Sequence, residues 1–373
     1  MTQTLLLREI DTRSGRRFGH ATLNAPATLN ALTLDMIDGL APRFAQWAAD
    51  PGIVGVVLDA AGDKAFSAGG DVQALRRAVL DGVPGEVPAA VAGFFEREYR
   101  LDHRIHTFAK PVLCWGHGIV MGGGVGLLAG ASHRVVTPRS RVAMPEISIG
   151  LYPDVGGSWF LNRMPEKIGL FLALTGAPLN AADACFAGLA DVVIAHDAKA
   201  RVLDALATTD WTGSSEHDAA QLSRVLAANA WPAAPDTAPL RRHLDLIATV
   251  IGHDTLADTD RRLRALQSHE DPWLAAAAAT YAAGSPSSAA LSHAVLKRAE
   301  HLTLADVFRL EYDLSIACCL QADFSEGVRA VLVDKDRAPR WQPATLAEVT
   351  PALIATHFAP QHTGAHPLAD LRD

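Results

Sequence analysis

The chain has 373 residues, of which 49% are hydrophobic and 20% charged, and its formal net charge is −8. This composition predicts a globular protein with a well-buried interior, and the length allows one large domain with an appendage or two domains. The acidic balance gives no reason to expect nucleic acid or an anionic membrane as a partner.

Strand and helix patterns alternate through the first half of the chain, and its valine-rich strands predict a sheet that is buried on both faces. In chain order we expect a hairpin over 3–24, a helix over 30–50, a strand over 53–62, a helix over 71–80, a loop over 81–90, a helix over 90–108, a strand over 111–120, a helix over 125–132, strands over 133–138 and 141–147, helices over 170–176 and 180–188, and a strand over 191–195.

Alanine-rich and charged helices dominate from about residue 197. We expect them over 198–209, 219–230, 239–252, 258–270, 271–284, 288–302 and 303–321. GSSEHDAA (213–220) and WPAAPDTAP (231–239) are predicted loops, and the polar tail after Phe358 is expected to be frayed. We therefore predict two domains, 1–196 and 197–373.

The four cysteines, Cys114, Cys185, Cys318 and Cys319, form no CxxC pair and no spaced ligand set. They indicate buried free thiols in a reducing compartment. The N-terminus has charges too early and an apolar run too short for a signal peptide, and the apolar stretch 118–131 is too short and glycine-rich to span a bilayer. We therefore expect a cytoplasmic protein without a membrane partner.

Two glycine-rich turns, SAGGD (67–71) and MGGGVG (121–126), each follow a predicted strand and open a helix. A helix N-terminus offers unpaired N–H groups, and glycine lets another group approach them closely. Two such termini that converge can hold one oxyanion, whereas each turn by itself also suits the packing of a helix on a strand. The residues favour neither interpretation over the other.

Two carboxylates, Glu146 and Asp154, lie in MPEISIGLYPDVGGS (144–158), each after a proline and among apolar residues and glycines. Apolar surroundings raise the pKa of a carboxyl group and let it transfer protons near neutral pH. Either acid could instead cap a helix or pair with an arginine such as Arg163. Because two acids share one such segment, we rank a functional role above a structural one.

Other chemistries have weaker support in the sequence. Gly124, Gly126 and Ala129 match the dinucleotide pattern G-x-G-x-x-A, but the unit lies deep in the chain and Glu146 does not end a strand. There is no G-x-S-x-G, and the histidines form no convincing metal site, so we expect no metal. His117, in a glycine turn, is expected to make a backbone hydrogen bond. Glu98, on the helix over 90–108, has the pattern of a solvated acid.

Several motifs together resemble the crotonase (enoyl-CoA hydratase/isomerase) superfamily, and within it the 3-hydroxyisobutyryl-CoA hydrolase branch. They are FSAGGDV (66–72), GHGIVMGGGVGL (116–127), AMPEISIGLYPDVGGSWFLNRMP (143–165), LALTGAPLNAADACFAGLAD (172–191), EYDLSIACC (311–319) and DFSEGVRAVLVDKDRAPRW (323–341). The resemblance spans most of the chain but is weak over 200–290. It implies an α/β fold, the crotonase-like spiral of ββα turns with a helical C-terminal region, commonly assembled as a homo-trimer or homo-hexamer.

The resemblance also implies site residues. The thioester carbonyl of an acyl-CoA is expected to lie between the N–H groups of Gly70 and Gly123, with the CoA adenine near Ala68. Glu146 matches the glutamate that the superfamily shares, and Asp154 matches an acid typical of the hydrolase branch. Glu98, in FFEREY, matches a glutamate that lines the acyl pocket. Gly126 stands where hydratases carry their other catalytic glutamate.

These residues predict hydrolysis of a small 3-hydroxyacyl-CoA thioester, with catalysis by Glu146 and Asp154. No cofactor is expected, since CoA enters as part of the substrate. One alternative is an enoyl-CoA hydratase or isomerase, against which Gly126 argues. Another is a non-catalytic acyl-CoA-binding relative, against which the retention of both acids argues.

Overall fold

The structure is a computed structural model and describes residues 3–232, 237–252 and 255–373. The chain forms two compact units that alternate along the sequence. Unit 1 comprises Met1–Gly70, Leu101–Val142 and Leu179–Arg241, and unit 2 comprises Asp71–Arg100, Ala143–Pro178 and Arg242–Asp373. The predicted division into 1–196 and 197–373 stays a prediction, and part of the predicted loop WPAAPDTAP lies outside the described residues.

The strands of the described residues lie before residue 194, as the valine-rich pattern predicts. They are β1 (Leu5–Asp11), β2 (Arg17–Leu23), β3 (Ile53–Ala60), β4 (Ala65–Ser67), β5 (Val112–Gly116), β6 (Ile119–Met121), β7 (His133–Val136), β8 (Arg141–Ala143) and β9 (Val192–Val193).

The helices continue to residue 357 and are closely spaced after residue 198. They are α1 (Leu34–Ala49), α2 (Val72–Leu80), α3 (Ala89–His106), α4 (Gly123–Gly130), α5 (Gly157–Phe160), α6 (Ile168–Thr175), α7 (Ala181–Phe186), α8 (Lys199–Thr208), α9 (Ser215–Ala227), α10 (Pro239–Arg242), α11 (Leu244–Ile251), α12 (Leu256–Ala265), α13 (Pro272–Ala283), α14 (Pro286–Ala299), α15 (Leu304–Leu320), α16 (Ala322–Val328) and α17 (Pro351–His357).

A six-stranded sheet in the order β1-β2-β3-β5-β7-β9 forms the centre of unit 1. The predicted hairpin pairs β1 and β2 antiparallel, and the following pairs in the sheet are parallel. All eight residues of β3 are buried, as expected of a parallel strand covered on both faces. A second sheet has the order β4-β6-β8, with β4 and β6 parallel.

The stretch 111–120, predicted as one strand, is two strands that belong to different sheets. The break lies at His117 and Gly118, where Gly118 has a φ of +59°. A Cβ at Gly118 would lie 2.2 Å from the Lys64 carbonyl oxygen, so only glycine fits. His117 Nε2 donates to the Gly62 carbonyl at 2.7 Å, which confirms the predicted backbone hydrogen bond. The switch carries the chain from β5 into the sheet that precedes the second glycine turn.

Each unit has an apolar core of its own. In unit 1 the helices α8 and α9 cover the sheet, and Phe18 packs edge-on against Trp211 with ring centroids 4.8 Å apart. In unit 2 Leu151 and Tyr152 pack against α14 and α15.

The four cysteines are unpaired, and Cys185 alone among them is partly exposed. Among the described residues, no helix has both the length and the hydropathy that crossing a membrane requires.

Three expectations for the second half are wrong. GSSEHDAA is largely helix, because α9 begins at Ser215 and the buried Asp218 carboxylate accepts the N–H groups of Thr212 and Gly213. The predicted helix over 239–252 is divided into α10 and α11. The tail is not frayed, since Leu368 is fully buried and Arg100 binds the Asp370 carboxylate at 2.8 Å. Polar composition does not reveal such long-range anchors.

The Gly118 close approach predicts a substitution that destabilises unit 1. Gly118→Ala and Gly15→Ala both place alanine at positive φ, but a Cβ at Gly15 meets nothing within 4 Å. We expect the backbone conformation to cost about 1 kcal/mol in each variant. The clash with Lys64 should add about 1–3 kcal/mol in Gly118→Ala. Thermal unfolding monitored by circular dichroism should therefore show the lower Tm for Gly118→Ala, and equal Tm values would contradict the close approach.

Candidate active site

The two glycine turns lie side by side in unit 1 because the strands before them are paired. β4 and β6 run parallel, with Ala65 opposite Ile119 and Ser67 opposite Val120. Carboxyl ends of parallel neighbours meet at the same edge of a sheet, so the turns that follow them meet there too. The pairing of two three-residue strands thus brings the predicted glycines together.

The backbones of the two turns are in direct contact. Gly69 has a φ of +100°, and a Cβ there would lie 3.2 Å from the Met121 carbonyl oxygen and 3.6 Å from the Gly123 nitrogen. A Cβ at Gly124 would lie 2.8 Å from the Ser67 carbonyl oxygen. Side chains at these positions would push the turns apart, which gives a physical reason for the glycines.

The N–H groups of Gly70 and Gly123 have no acceptor within the bridge to Leu32 and within α4, respectively. Gly123 is the first residue of α4, where N–H groups have no acceptor within the helix. Gly70 forms a parallel bridge with Leu32 in which Gly69 supplies the carbonyl, so the Gly70 N–H points away from Leu32. Ala68 is half-buried in the same turn, and its N–H donates to Leu29. The arrangement in unit 1 suits an oxyanion, as the resemblance implies.

Glu146 is a buried acid in unit 2 with little to stabilise its charge. It begins a short 3-10 helix, Glu146–Ile149, where a strand was expected. The side chain is 4% exposed, and its Oε2 has no hydrogen-bond partner among the described residues. Burial, together with the neighbouring Asp154, raises the pKa of Glu146 well above its usual range.

Asp154 is buried in the same unit but receives a strong hydrogen bond. The Tyr99 hydroxyl donates to Asp154 Oδ2 at 2.7 Å. Burial raises the pKa of Asp154 to about 6, although the Tyr99 hydrogen bond opposes the shift. Asp154 does not pair with Arg163, which bonds the Trp159 carbonyl and stacks on the Trp159 ring. It does not cap the following helix either, since the N-cap of α5 is Gly156.

The backbone beside Asp154 is strained. Val155 has a φ of +53°, which β-branched residues rarely adopt, and Gly156 follows at +83°. The Gly157 N–H closes this turn by donating to the Asp154 carbonyl at 2.7 Å. The turn places the Asp154 side chain inside the unit.

Glu98 is buried, so the solvated acid predicted from its pattern is wrong. The side chain on α3 is 3% exposed, and its Oε1 has no hydrogen-bond partner among the described residues. Burial and the Asp154 charge raise the pKa of Glu98 well above its usual range. Glu96, two residues earlier, is half-buried and contacts Arg100 at 3.3 Å. Glu98, Glu146 and Asp154 therefore form one cluster of interacting carboxyl groups, which we call the acid cluster.

Sequence reasoning did not single out the residues on α15 that support the acid cluster. Glu311 is fully buried and accepts the Gly156 N–H at 2.7 Å and the Ser158 N–H at 2.9 Å. Burial raises the pKa of Glu311 to about 8. Ser315 contacts the hydroxyls of Tyr99 and Tyr152. The available signal was a glutamate and a serine four residues apart on an otherwise apolar helix face in EYDLSIACC.

One group in unit 2 has metal-ligand composition. Asp313, His362 and His366 bring potential ligand atoms within 4.8 Å of one another. His366 is poorly suited to bind a metal, because Nδ1 accepts the Leu368 N–H at 2.9 Å and Nε2 donates to the Arg309 carbonyl at 3.1 Å. The backbone thus fixes both ring nitrogens in other roles.

The chain is similar to known proteins over most of its length. The family model described as enoyl-CoA hydratase/isomerase matches residues 18–358. The chain is 38% identical over 352 residues to the mitochondrial 3-hydroxyisobutyryl-CoA hydrolase of Danio rerio, covering 91% of this chain and 87% of that protein. It is 36% identical over 340 residues to the protein of the same name from Homo sapiens, covering 91% and 86%.

Solved structures with the same fold carry different names. A carnitinyl-CoA dehydratase from Mycobacterium thermoresistibile matches with a TM-score of 0.84 and 37% identity, covering 96% of this chain and 97% of that chain. An enoyl-CoA hydratase from Rhodobacter sphaeroides matches with a TM-score of 0.80 and 36% identity, covering 96% and 98%. The predicted crotonase fold, an α/β core with a helical C-terminal region, is confirmed.

The buried Glu146 carboxyl predicts that Glu146→Gln gains stability relative to wild type as pH rises. Because its folded pKa exceeds the unfolded value of about 4.3, the folded state holds the proton more tightly and the wild-type protein loses stability as pH rises. Glutamine does not titrate. Relative to wild type, the variant should therefore be more stable at pH 8 than at pH 5, by a difference on the order of 1 kcal/mol.

Urea unfolding at both pH values measures this difference, with Glu300→Gln on the exposed surface as the control. The control should show the same stability relative to wild type at both pH values. If Glu146→Gln behaves like the control, Glu146 is not held in an unfavourable environment.

Proposed function

The chain belongs to the enoyl-CoA hydratase/isomerase family, and within it we propose that it hydrolyses 3-hydroxyisobutyryl-CoA to 3-hydroxyisobutyrate and CoA, a step of valine catabolism. The chain is an acyl-CoA thioester hydrolase like the vertebrate relatives, which it matches at 35–38% identity over about nine-tenths of its length. The observation that carries the proposal is the acid cluster, which retains Glu146 and Asp154 buried, interacting and with raised pKa values.

The glycine turns supply the electrostatic part of catalysis. We propose that the N–H groups of Gly70 and Gly123 hold the thioester carbonyl and stabilise the oxyanion that forms when it is attacked. Loss of one such donor typically costs roughly 3 kcal/mol in the barrier. Ala68, in the first turn, is proposed to contact the adenine end of CoA.

At neutral pH, fewer than three of the carboxyl groups in the acid cluster are ionised. Asp154 receives the Tyr99 hydrogen bond, whereas Glu146 and Glu98 each have an oxygen without a partner among the described residues. Asp154 is therefore the first of the three to ionise, and its charge keeps protons on the other two. For Glu146 to act as a carboxylate, its proton must leave and Asp154 must become the protonated partner.

This sharing of one proton assigns roles to the two acids. With the proton on Asp154, Glu146 either attacks the carbonyl to form an anhydride or removes a proton from an attacking water. The C–S bond breaks as the oxyanion collapses, and Asp154 gives its proton to the departing CoA sulfur. Water supplies the oxygen of the product acid in both routes. Glu98 is proposed to contact the acyl end of the substrate.

Enoyl-CoA hydration is the second candidate, because the two solved structures described above bear hydratase and dehydratase names. The position at which hydratases carry a second catalytic glutamate is Gly126, which is buried within α4 and offers no side chain. A non-catalytic acyl-CoA-binding protein has less support still, since buried unpaired acids destabilise a fold and persist mainly where they act.

Other features of the proposal follow from the same reaction. Thioester hydrolysis as described needs no metal or redox cofactor, and CoA arrives with the substrate. Unpaired cysteines favour a reducing compartment, and we propose the cytoplasm, although the vertebrate relatives are named as mitochondrial. We further propose assembly as a trimer or hexamer, which multi-angle light scattering measures directly.

Substrate choice is the direct test of the proposed reaction. Purified protein should release free thiol from 3-hydroxyisobutyryl-CoA, as detected with a thiol reagent, and should leave crotonyl-CoA unhydrated. 3-Hydroxypropionyl-CoA should be a weaker substrate by about 10–200-fold, since one methyl group in a pocket contributes about 1–3 kcal/mol. Hydration of crotonyl-CoA without thiol release would falsify the hydrolase assignment.

Neutral isosteres test the two acids. We expect Glu146→Gln and Asp154→Asn each to lower kcat by about 10²–10⁴-fold, because each removes a proton-transferring group that a neutral amide cannot replace. Binding of the CoA ester, measured by calorimetry, should survive in both. Glu96→Gln on α3 is the matched control and should keep full activity. Activity retained in both acid variants contradicts the carboxylate mechanism.

A further inference from the structure

We infer that Ser315 is a positioning residue that determines whether Asp154 holds a proton, through a chain of hydroxyl groups within unit 2. The kinetic part of this inference rests on the proposed function, in which Asp154 must accept and return a proton. The structural part does not, since it concerns only hydrogen bonds between described side chains.

The chain of hydroxyl groups has four links. Asp154 Oδ2 lies 2.7 Å from the Tyr99 hydroxyl, and that hydroxyl lies 2.6 Å from Ser315 Oγ. Ser315 Oγ lies 3.0 Å from the Tyr152 hydroxyl, which lies 3.0 Å from the Glu311 carbonyl oxygen. Tyr99, Tyr152 and Ser315 are fully buried, and Asp154 is 5% exposed. Water therefore has little access to complete the chain.

The number of hydrogens decides which charge state the chain favours. The Glu311 carbonyl can only accept, so Tyr152 must donate to it. Ionised Asp154 can only accept as well, so Tyr99 must donate to it. Ser315 then has a single hydrogen to donate, and both neighbouring tyrosine hydroxyls already donate elsewhere. One of the two oxygen–oxygen contacts of Ser315 is therefore left without a hydrogen between the oxygens. Three hydrogens cannot fill four links.

A proton on Asp154 supplies the missing hydrogen. Asp154 then donates to Tyr99, Tyr99 to Ser315, Ser315 to Tyr152 and Tyr152 to the Glu311 carbonyl. Every link is filled and all hydroxyls point the same way, an arrangement in which neighbouring hydrogen bonds strengthen one another. The chain of hydroxyl groups therefore stabilises protonated Asp154. The proposed reaction needs this state while Glu146 acts as the carboxylate.

Other titratable groups also influence the ionisation of Asp154, in addition to the chain of hydroxyl groups. Its electrostatic neighbours are Glu98, Glu146, Glu311, Tyr99, Tyr152 and the adjacent thiols Cys318 and Cys319. The acids among these, when ionised, also favour the proton on Asp154. A test must therefore alter the chain of hydroxyl groups without replacing any of these acids.

Ser315→Ala removes the residue that cannot satisfy both neighbours. Tyr99 then donates to Asp154 and Tyr152 to the Glu311 carbonyl, so ionised Asp154 leaves no link unfilled. We expect Asp154 to ionise about one pH unit lower than in the wild type, which is the equivalent of about one net hydrogen bond. Tyr99→Phe removes the donor to ionised Asp154 and should shift ionisation the opposite way, to higher pH.

Carbon-13 NMR of labelled aspartate carboxyl groups reports the titration directly, with the Asp154 signal assigned from its loss in Asp154→Asn. Ser292→Ala is the matched control, because Ser292 is also a fully buried serine on a helix of unit 2 but lies outside the chain. It should leave the Asp154 titration unchanged. Ser315→Thr keeps the hydroxyl and should restore the wild-type titration.

The pH profile of kcat/KM gives a second, functional measurement. The acid limb, where the acid cluster takes up its third proton near pH 6, should move down in Ser315→Ala and up in Tyr99→Phe. Shifts in the same direction, or none in either variant, overturn the inference. If the protein hydrolyses no 3-hydroxyacyl-CoA, the proposed function fails while the NMR titration still decides the role of Ser315.

Discussion

Burial of several carboxyl groups in one small part of unit 2 is the constraint on which the site depends. Glu98, Glu146, Asp154 and Glu311 are each at most 5% exposed, and none is part of an ion pair among the described residues. Isolated buried charges are costly, so the group responds by sharing protons. Its chemistry is therefore that of a set of coupled acids instead of independent ones. The strained turn at Val155 and the hydrogen bonds from Tyr99 and to Glu311 place these acids and influence their protons.

The acids are distinguished by their hydrogen bonds, since their burial is similar. Asp154 has a hydroxyl donor, and Glu311 has two backbone N–H donors. Glu98 and Glu146 each keep an unpartnered oxygen among the described residues. A donor stabilises a carboxylate, whereas an unpartnered oxygen leaves it without compensation, so the first pair ionises more readily than the second. The same surroundings thus hold two acids, Asp154 and Glu146, that differ in how readily they ionise.

The sequence predicts the fold better than it predicts the surroundings of the candidate site residues. Valine-rich strands, glycine turns and the acids of MPEISIGLYPDVGGS are local patterns. The resemblance relates them to one fold and one predicted acyl-CoA site. The break at Gly118 depends on contact with Lys64, and the anchored tail depends on Arg100 and Arg309, more than fifty residues away. Glu98 appears solvated by pattern because burial of a helix face depends on what packs against it. Glu311 and Ser315 were not predicted for the same reason, since their hydrogen-bond partners Gly156 and Tyr99 lie 155 and 216 residues away.

Helix α15 combines the two requirements of the site, position and protonation, on one face. Glu311 accepts N–H groups on both sides of Gly157 and so holds the turn that contains Val155 at positive φ, a conformation that costs roughly 1–2 kcal/mol. One helical turn later, Ser315 enters the hydroxyl chain to Asp154. A third residue on this face, Cys318, packs with Leu151 and Tyr152 and excludes water from the chain. Because one helix spaces these three contacts, a shift of α15 would disturb both the turn at Val155 and the hydroxyl group that contacts Tyr99. Position and protonation of the acid are therefore coupled through one element, which explains why a strained turn and a buried polar chain occur together here.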